Sequence, residues 1–397
     1  MRMAGVVTGS RWSAIVGYSL VGAATQLVWL NFAGVTTVAA SRYGVSESAI
    51  GWLAQVFPLL YVVLAIPCGL LLDRWFRAGL IAGAVLTAVG AGVRLIGDNY
   101  GWLLAGQIIA SVAQPLVLNA VTGITGRYLD EKDRPAGIAV GTASIFGGMV
   151  LAFLLSAVFT TSASLPAMLT VTAAFCALAA CVLIIVVRRE GSFEVPALRP
   201  DRSALRVAWG DSLIRRLCVL AIFPFGVFVA MSTFAQALLE PAGVSGSTAS
   251  TILLVNVVAG VAGSAVIPVV VARRHAESAL LVVSLATTAG ACVLLAFAPG
   301  VVTGFIAITL IGLLVLPALP IVLELVERRT GEAEGTAAGL IWMAGNLGGL
   351  VVAVVVGLLV GHPTAAFLVM AAIALIAVPG ARALRRPIAE LRSQSQP

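Results

Sequence analysis

Four apolar stretches of the chain carry aromatic rings or uncharged amides at the depth where a membrane is driest. Trp29 and Asn31 lie beyond the centre of the first stretch, Gln114 at the centre of the fourth, Phe225 and Phe228 near the middle of the seventh, and Trp342 and Asn346 in the inner half of the eleventh. Polar side chains are costly in hydrocarbon and turn toward protein or a water-filled space. An aromatic face attracts an ammonium group by roughly 2 kcal/mol or more once water is excluded. An amide oxygen can meet a hydroxyl or the residual charge without the desolvation cost of a buried carboxylate. Together these residues suit a small organic cation. Singly, each has a plainer reading: a Trp packs or sits at an interface, and an Asn or Gln bonds the neighbouring helix.

The elements that must position them are long apolar segments, and twelve are expected, at roughly 12–39, 50–72, 78–97, 101–126, 135–160, 166–187, 217–240, 248–272, 278–298, 301–323, 336–361 and 363–380. Each can cross a hydrocarbon core about 30 Å thick, which takes about 20 apolar residues. Hydrophobic residues make up 60% of the chain and charged residues 10%, too little polar surface to cover a water-soluble core. The net charge of +7 does not point to nucleic acid, because the Arg residues are scattered over short loops without aromatic interleaving.

Topology accounts for the charge instead. With the N-terminus inside, 22 of the 24 Lys and Arg residues fall in cytoplasmic gaps, and Arg42 and Arg94 alone lie near the other face. The positive-inside rule then places both termini in the cytoplasm. Arg94 is expected to pair with Asp98, four residues on. The first apolar run is long enough to span and lacks a small-residue cleavage pattern, so it reads as a retained helix. Cys68, Cys176, Cys181, Cys218 and Cys292 fall inside apolar segments at spacings unlike a metal site or disulfide framework, and read as buried, inert thiols. A single Lys and the absence of an N-x-Ser/Thr site favour a bacterial inner membrane.

The longest hydrophilic stretch divides the chain into a six-helix unit at 1–187, a cytoplasmic linker at 188–216 containing Pro196 and Pro200, a second six-helix unit at 217–380, and a cytoplasmic tail at 381–397. Duplication is supported by matching strings. After Asp130–Asp133, span five carries Ala136-Gly137 and Gly147-Gly148; after Glu332 and Glu334, span eleven carries Ala338-Gly339 and Gly348-Gly349. Gly137/Gly141 and Gly345/Gly349 also have the spacing that lets membrane helices pack closely.

Between spans two and three the chain reads Gly69-Leu-Leu-Leu-Asp73-Arg74-Trp-Phe-Arg77. This resembles the G-x-L-x-D-R loop signature of the major facilitator superfamily. The resemblance implies an all-α membrane protein of twelve transmembrane helices in two six-helix bundles related by a pseudo-two-fold axis. It also gives Gly69, Asp73, Arg74 and Arg77 a conformational role, with the carboxylate capping a helix end in one state. The counterpart near Arg273 and Arg274 lacks the Asp.

Trp29-Leu-Asn-Phe to Tyr43-Gly-Val, Ile50-Gly-Trp-Leu-Ala-Gln55, Gly106-Gln-Ile-Ile-Ala-Ser-Val-Ala-Gln114 and Glu332-Ala-Glu-Gly-Thr-Ala-Ala-Gly339-Leu are similar to strings of the feline leukaemia virus subgroup C receptor family, which transports choline and ethanolamine and has been linked to haem. The resemblance makes Trp29 the cage Trp of span one and Gln114 the amide contact of span four. Asn346 stands where the family has a Gln, and Phe228, or Phe225 if the alignment slips, where it has a Tyr. π surface is kept and a hydroxyl lost, and Trp342 is placed to refill the space.

Asp73, Glu324 and Glu327 fall at cytoplasmic span ends and Glu240 at the outer end of span seven, so no carboxylate is expected at mid-membrane, where proton relays sit. His275 and His362 are in loops, which disfavours a haem ligand. The expectation is a facilitative transporter of choline, ethanolamine or a related amine working by alternating access, as a monomer in the lipid bilayer, with no cofactor, metal or nucleic-acid partner. The alternative is a proton-coupled exporter of drugs or metabolites on the same fold. An enzyme is disfavoured because no catalytic set or phosphate-binding loop occurs, and a receptor because the outer loops are short.

Overall fold

The structure, a computed structural model, describes residues 9–191, 193, 209–274, 276–318, 321–322, 325 and 334–385. His275, Glu324 and Glu327, most of the 188–216 linker, the end of the tail and the side chain of Asp73 lie outside the described residues.

Helix starts follow local chemistry. Ser46 Oγ accepts from the Ala49 N–H at 3.1 Å to begin α3 (Glu47–Arg74), and Asn99 Oδ1 accepts from Trp102 N at 3.1 Å to begin α5 (Tyr100–Leu118). Asp211 does the same for α9 (Ser212–Leu239), accepting from Leu213 N at 2.7 Å. Each satisfies a donor that the first helical turn leaves free. Gly44, at φ +63°, ends the short α2 (Thr36–Tyr43) in the left-handed conformation that costs glycine little. Soon after Pro115, α5 stops, and α6 (Val121–Tyr128) continues its path. The joint is pinned by Asn119, whose Oδ1 accepts from Tyr61 Oη at 2.8 Å.

The remaining helices are α1 (Trp12–Leu30), α4 (Phe76–Val93), α7 (Arg134–Val158), α8 (Leu165–Val187), α10 (Gly246–Arg274), α11 (Glu277–Phe297), α12 (Val301–Val315), α13 (Glu334–Leu358) and α14 (Pro363–Ala383). Among the described residues, 11 helices are long and apolar enough to cross a membrane, and α12, the tenth expected span, is a shorter apolar helix. Large apolar side chains such as Leu178, Ile185, Val302, Leu358 and Ile376 are exposed on the molecule's surface. That is what a lipid solvent permits. Cys181 is exposed too, against expectation, because it sits on an outward face of α8, while the other four cysteines are buried.

Packing repeats in the two halves. Helix α1 lies against α7 and α8, α3 against α5, and α4 against α5 and α8; α9 lies correspondingly against α13 and α14, α10 against α12, and α11 against α12 and α14. Glycines set the closest approaches. A Cβ on Gly148 would lie 2.7 Å from Ala23 Cα, and one on Gly348 would lie 2.7 Å from Ile222 Cα. The backbones of α1 and α7, and of α9 and α13, therefore touch at matching places. The equivalence runs through the second glycine of the Gly147-Gly148 pair and the first of Gly348-Gly349. Between the halves, α3 meets α13 and α7 meets α10.

Candidate functional site

The two halves touch mainly at the end opposite the chain termini. There Gln236 of α9 reaches α2: its Oε1 accepts from Thr37 N at 3.0 Å, and its Nε2 donates to Thr37 Oγ1 at 2.8 Å and to Glu240 at 2.7 Å. Gln55 Nε2 donates to Thr233 Oγ1 at 3.2 Å. Ser156 and Ser250 hydroxyls meet at 3.2 Å, and Ser250 Oγ also donates to Gly34 O at 3.1 Å. A Cβ on Gly34 would collide with both serines, and one on Gly51 with the Phe234 ring. Toward the termini, no hydrogen bond joins the halves among the described residues.

Beneath this seal lies a cavity whose empty space, open solvent at its mouth included, is about 1020 Å³. Its wall from the first half is Gln26 and Trp29 of α1, Gln114 and Leu118 around the end of α5, and Ile145, Phe146 and Met149 of α7. The second half supplies Leu220, Ala221, Pro224, Phe225 and Phe228 of α9, Leu281 of α11, Val315, Leu316, Ala318 and Val322 at and beyond the end of α12, and Ile341, Trp342, Gly345 and Asn346 of α13. No described lining residue is ionisable.

Trp29 has its indole fixed. Nε1 donates to the Ala54 carbonyl at 2.9 Å, which ties the ring to α3 while it remains part of the wall. Gln114 is 4% exposed and Gln26 2%, and neither amide makes a hydrogen bond among the described residues. Phe225 and Trp342 meet edge to face with centroids 6.1 Å apart and planes at 83°, a geometry the ring quadrupoles favour. Asn346 Nδ2 donates back to Trp342 O at 2.9 Å, so its Oδ1 is left to accept. Pro224 has no N–H for the Leu220 carbonyl one turn earlier, and both residues line the cavity. Gly345 gives Phe225 its room, since a Cβ there would stand 3.2 Å from the ring.

Trp29, Gln114, Phe228, Trp342 and Asn346, with Phe225, thus come together. Asn31 does not join them. It is fully buried where α1, α4 and α5 meet, with Oδ1 accepting from Arg94 Nη1 at 3.4 Å. Arg94 is buried beside it and does not pair with Asp98. Its side chain turns inward against Gly106, and Asp98 is held by Arg42 at 2.6 Å. That hydrogen bond raises the Arg42 pKa above its ordinary value. Gln26, Phe146 and Met149 were not anticipated. Gln26 stands three residues before Trp29, the one-turn spacing that shares a helix face, and that spacing was the available signal.

Of the loop residues, Arg77 holds the end of α8, its Nε donating to Val187 O at 2.9 Å and its Nη1 reaching Glu190 at 2.8 Å. Arg11 does likewise, donating to Val186 O at 2.8 Å. Cations at a helix C-terminus oppose its dipole. Arg74 lies over the Trp75 ring at 4.6 Å, and Gly69 faces open space.

Paired helix groups around a central cavity, with apolar flanks for lipid, define a multi-pass membrane transporter. The chain belongs to the Major Facilitator Superfamily, which it matches over residues 14–353. Solute carrier family 49 member A3 of Danio rerio is 25% identical over 359 residues, covering 85% of this chain and 76% of that protein. The human choline/ethanolamine transporter FLVCR2 is 26% identical over 155 residues, 37% of this chain and 29% of that one. A bacterial homologue of the human lysosomal transporter Spinster, solved inward-facing and unoccupied, shares the fold with TM-score 0.78 and 13% identity over 95% of this chain and 97% of that one. The Escherichia coli fucose:proton symporter FucP gives TM-score 0.62 and 17% identity over 94% and 99%.

Proposed function

We propose that the protein carries choline, ethanolamine or a related small amine across a bacterial inner membrane by facilitated diffusion, with the cavity as the binding site and both termini cytoplasmic. The observation that carries this reading is the cavity wall itself: Trp29, Phe225, Phe228 and Trp342 supply π faces, Gln26, Gln114 and Asn346 supply amides, and no described wall residue ionises. A cation is held there by ring quadrupoles and carbonyl oxygens, without a proton to exchange. The names of the choline/ethanolamine relatives support the substrate class. With the termini inside, the cavity faces the cytoplasm and the hydrogen-bonded seal faces out. Rocking of the halves about the cavity presents the site to each side in turn.

Transport energetics test the reading. A monovalent cation gains about 2.3 kcal/mol per 100 mV of inside-negative potential. In proteoliposomes, a potassium-diffusion potential should drive choline or ethanolamine uptake at matched pH. Flux driven only by a pH gradient would establish the proton-coupled exporter instead.

A further inference from the structure

We propose that Arg94 is the floor of a buried binding site for a small inorganic anion of the size of chloride, enclosed within the first half of the molecule. Arg94 is the largest fully buried side chain, and no described carboxylate pairs with it. Its guanidinium uses one nitrogen for two long contacts, Nη1 to Asn31 Oδ1 at 3.4 Å and to Gln107 Oε1 at 3.3 Å. Among the described residues, Nε and Nη2 of Arg94 have no hydrogen-bond partner, and neither has Nδ2 of Asn31.

The chemistry of the unmet groups sets the ligand. Each is a donor, and one residue carries a fixed positive charge. Burying such a charge alone costs several kcal/mol, so an acceptor bearing one negative charge answers both demands. The described residues supply none nearby. Asp98 is committed to Arg42 through Oδ1 at 3.1 Å and Oδ2 at 2.6 Å. Cys176 of α8 and Tyr43 of α2 are the titratable groups that bear on Arg94, and both are ordinarily neutral near pH 7.

The site is also built to keep the guanidinium in place. Gly106 notches α5 so that a Cβ there would lie 2.5 Å from Arg94 Cγ. Gln107, which accepts from Arg94, is itself fixed by donating through Nε2 to Val28 O at 3.0 Å. An anion here joins α1, α4 and α5 as a structural element, apart from the transport cavity, to which Arg94 and Asn31 do not contribute.

The purified full-length protein would be melted in sodium chloride and in sodium gluconate at equal ionic strength, gluconate being a far bulkier anion than the one proposed. Chloride should raise the midpoint saturably, by about 3 °C or more at high occupancy. Arg94→Gln should abolish the difference. Should that variant not fold, Asn31→Asp carries the test, because it places a carboxylate within reach of Nη1 and should render stability indifferent to chloride. Radiolabelled chloride should be retained at one ion per chain by the wild type and lost in Asn31→Asp. Equal midpoints in the two salts, no retained chloride, or a chloride effect undiminished in Asn31→Asp would each overturn the site.

Discussion

The seam between the halves is polar and tight at one end and apolar and gaping at the other. At the sealed end, four hydroxyl-bearing residues (Thr37, Ser156, Thr233 and Ser250) and the amides of Gln55 and Gln236 bond across a contact that Gly34 and Gly51 bring close. In the cavity below, the amides of Gln26 and Gln114 are unbonded among the described residues, and the rest of the wall is largely carbon. The contrast teaches that one residue type, the uncharged amide, performs two tasks according to the distance between backbones. Where glycine allows contact, an amide closes the molecule; where the helices diverge, it faces the cavity.

The largest effect that would break this comparison is steric. Gly34→Leu must displace Ser156 and Ser250, and overpacking of that kind costs about 1–3 kcal/mol. Such a cost shifts a two-state equilibrium by about 5- to 150-fold. In a background stripped of native cysteines, Gln114→Cys should become labelled by an impermeant thiol reagent added at the sealed side. Unchanged labelling would mean that the seal is not the gate.

Next comes the ring on which the binding argument leans most. Trp29→Ala should weaken choline by roughly 1–2 kcal/mol, about five- to thirtyfold, while Trp29→Phe loses less because a smaller π face remains. The neutral isostere 3,3-dimethylbutanol should bind poorly and be less sensitive to either change. Choline affinity unaltered in a folded Trp29→Ala protein would make the residue a packing group. The smallest effect belongs to Gln236→Ala, which removes the part-buried bonds to Thr37. At about 1 kcal/mol net, it should raise sealed-side labelling of Gln114→Cys roughly fivefold, the low end of the range for the glycine substitution.

The spans and their two-fold repetition were legible because lipid demands length and apolarity, and both can be counted along a sequence. The wall was half legible. Trp29, Gln114, Phe228, Trp342 and Asn346 stood out as rings or amides at mid-depth, but a membrane helix is apolar all round, so hydrophobicity does not mark which face turns inward. That is why Phe146 and Met149 passed unnoticed. A mid-depth amide announces an interior without saying which one, and Asn31 lies in the interior of one half, away from the gap between the two. Arg94 illustrates a further limit. The i,i+4 rule offered it Asp98, but the rule holds on a helix, and Arg94 caps the end of α4, where the chain turns away.

The bond from Trp29 to the Ala54 carbonyl has a mechanical meaning. That carbonyl belongs to the same peptide group as the nitrogen of Gln55, whose side chain touches Thr233 in the opposite half. On the proposed function, a ligand that tilts the indole would pull on the backbone from which the Gln55 side chain springs, and occupancy and gating would be separated by one peptide unit. Trp29→Phe cuts that link while keeping a ring, so it should uncouple the two: choline would still bind, but its arrival would no longer alter sealed-side labelling of Gln114→Cys. In such a lever the working stroke would be short, with the sensor beside the latch it moves.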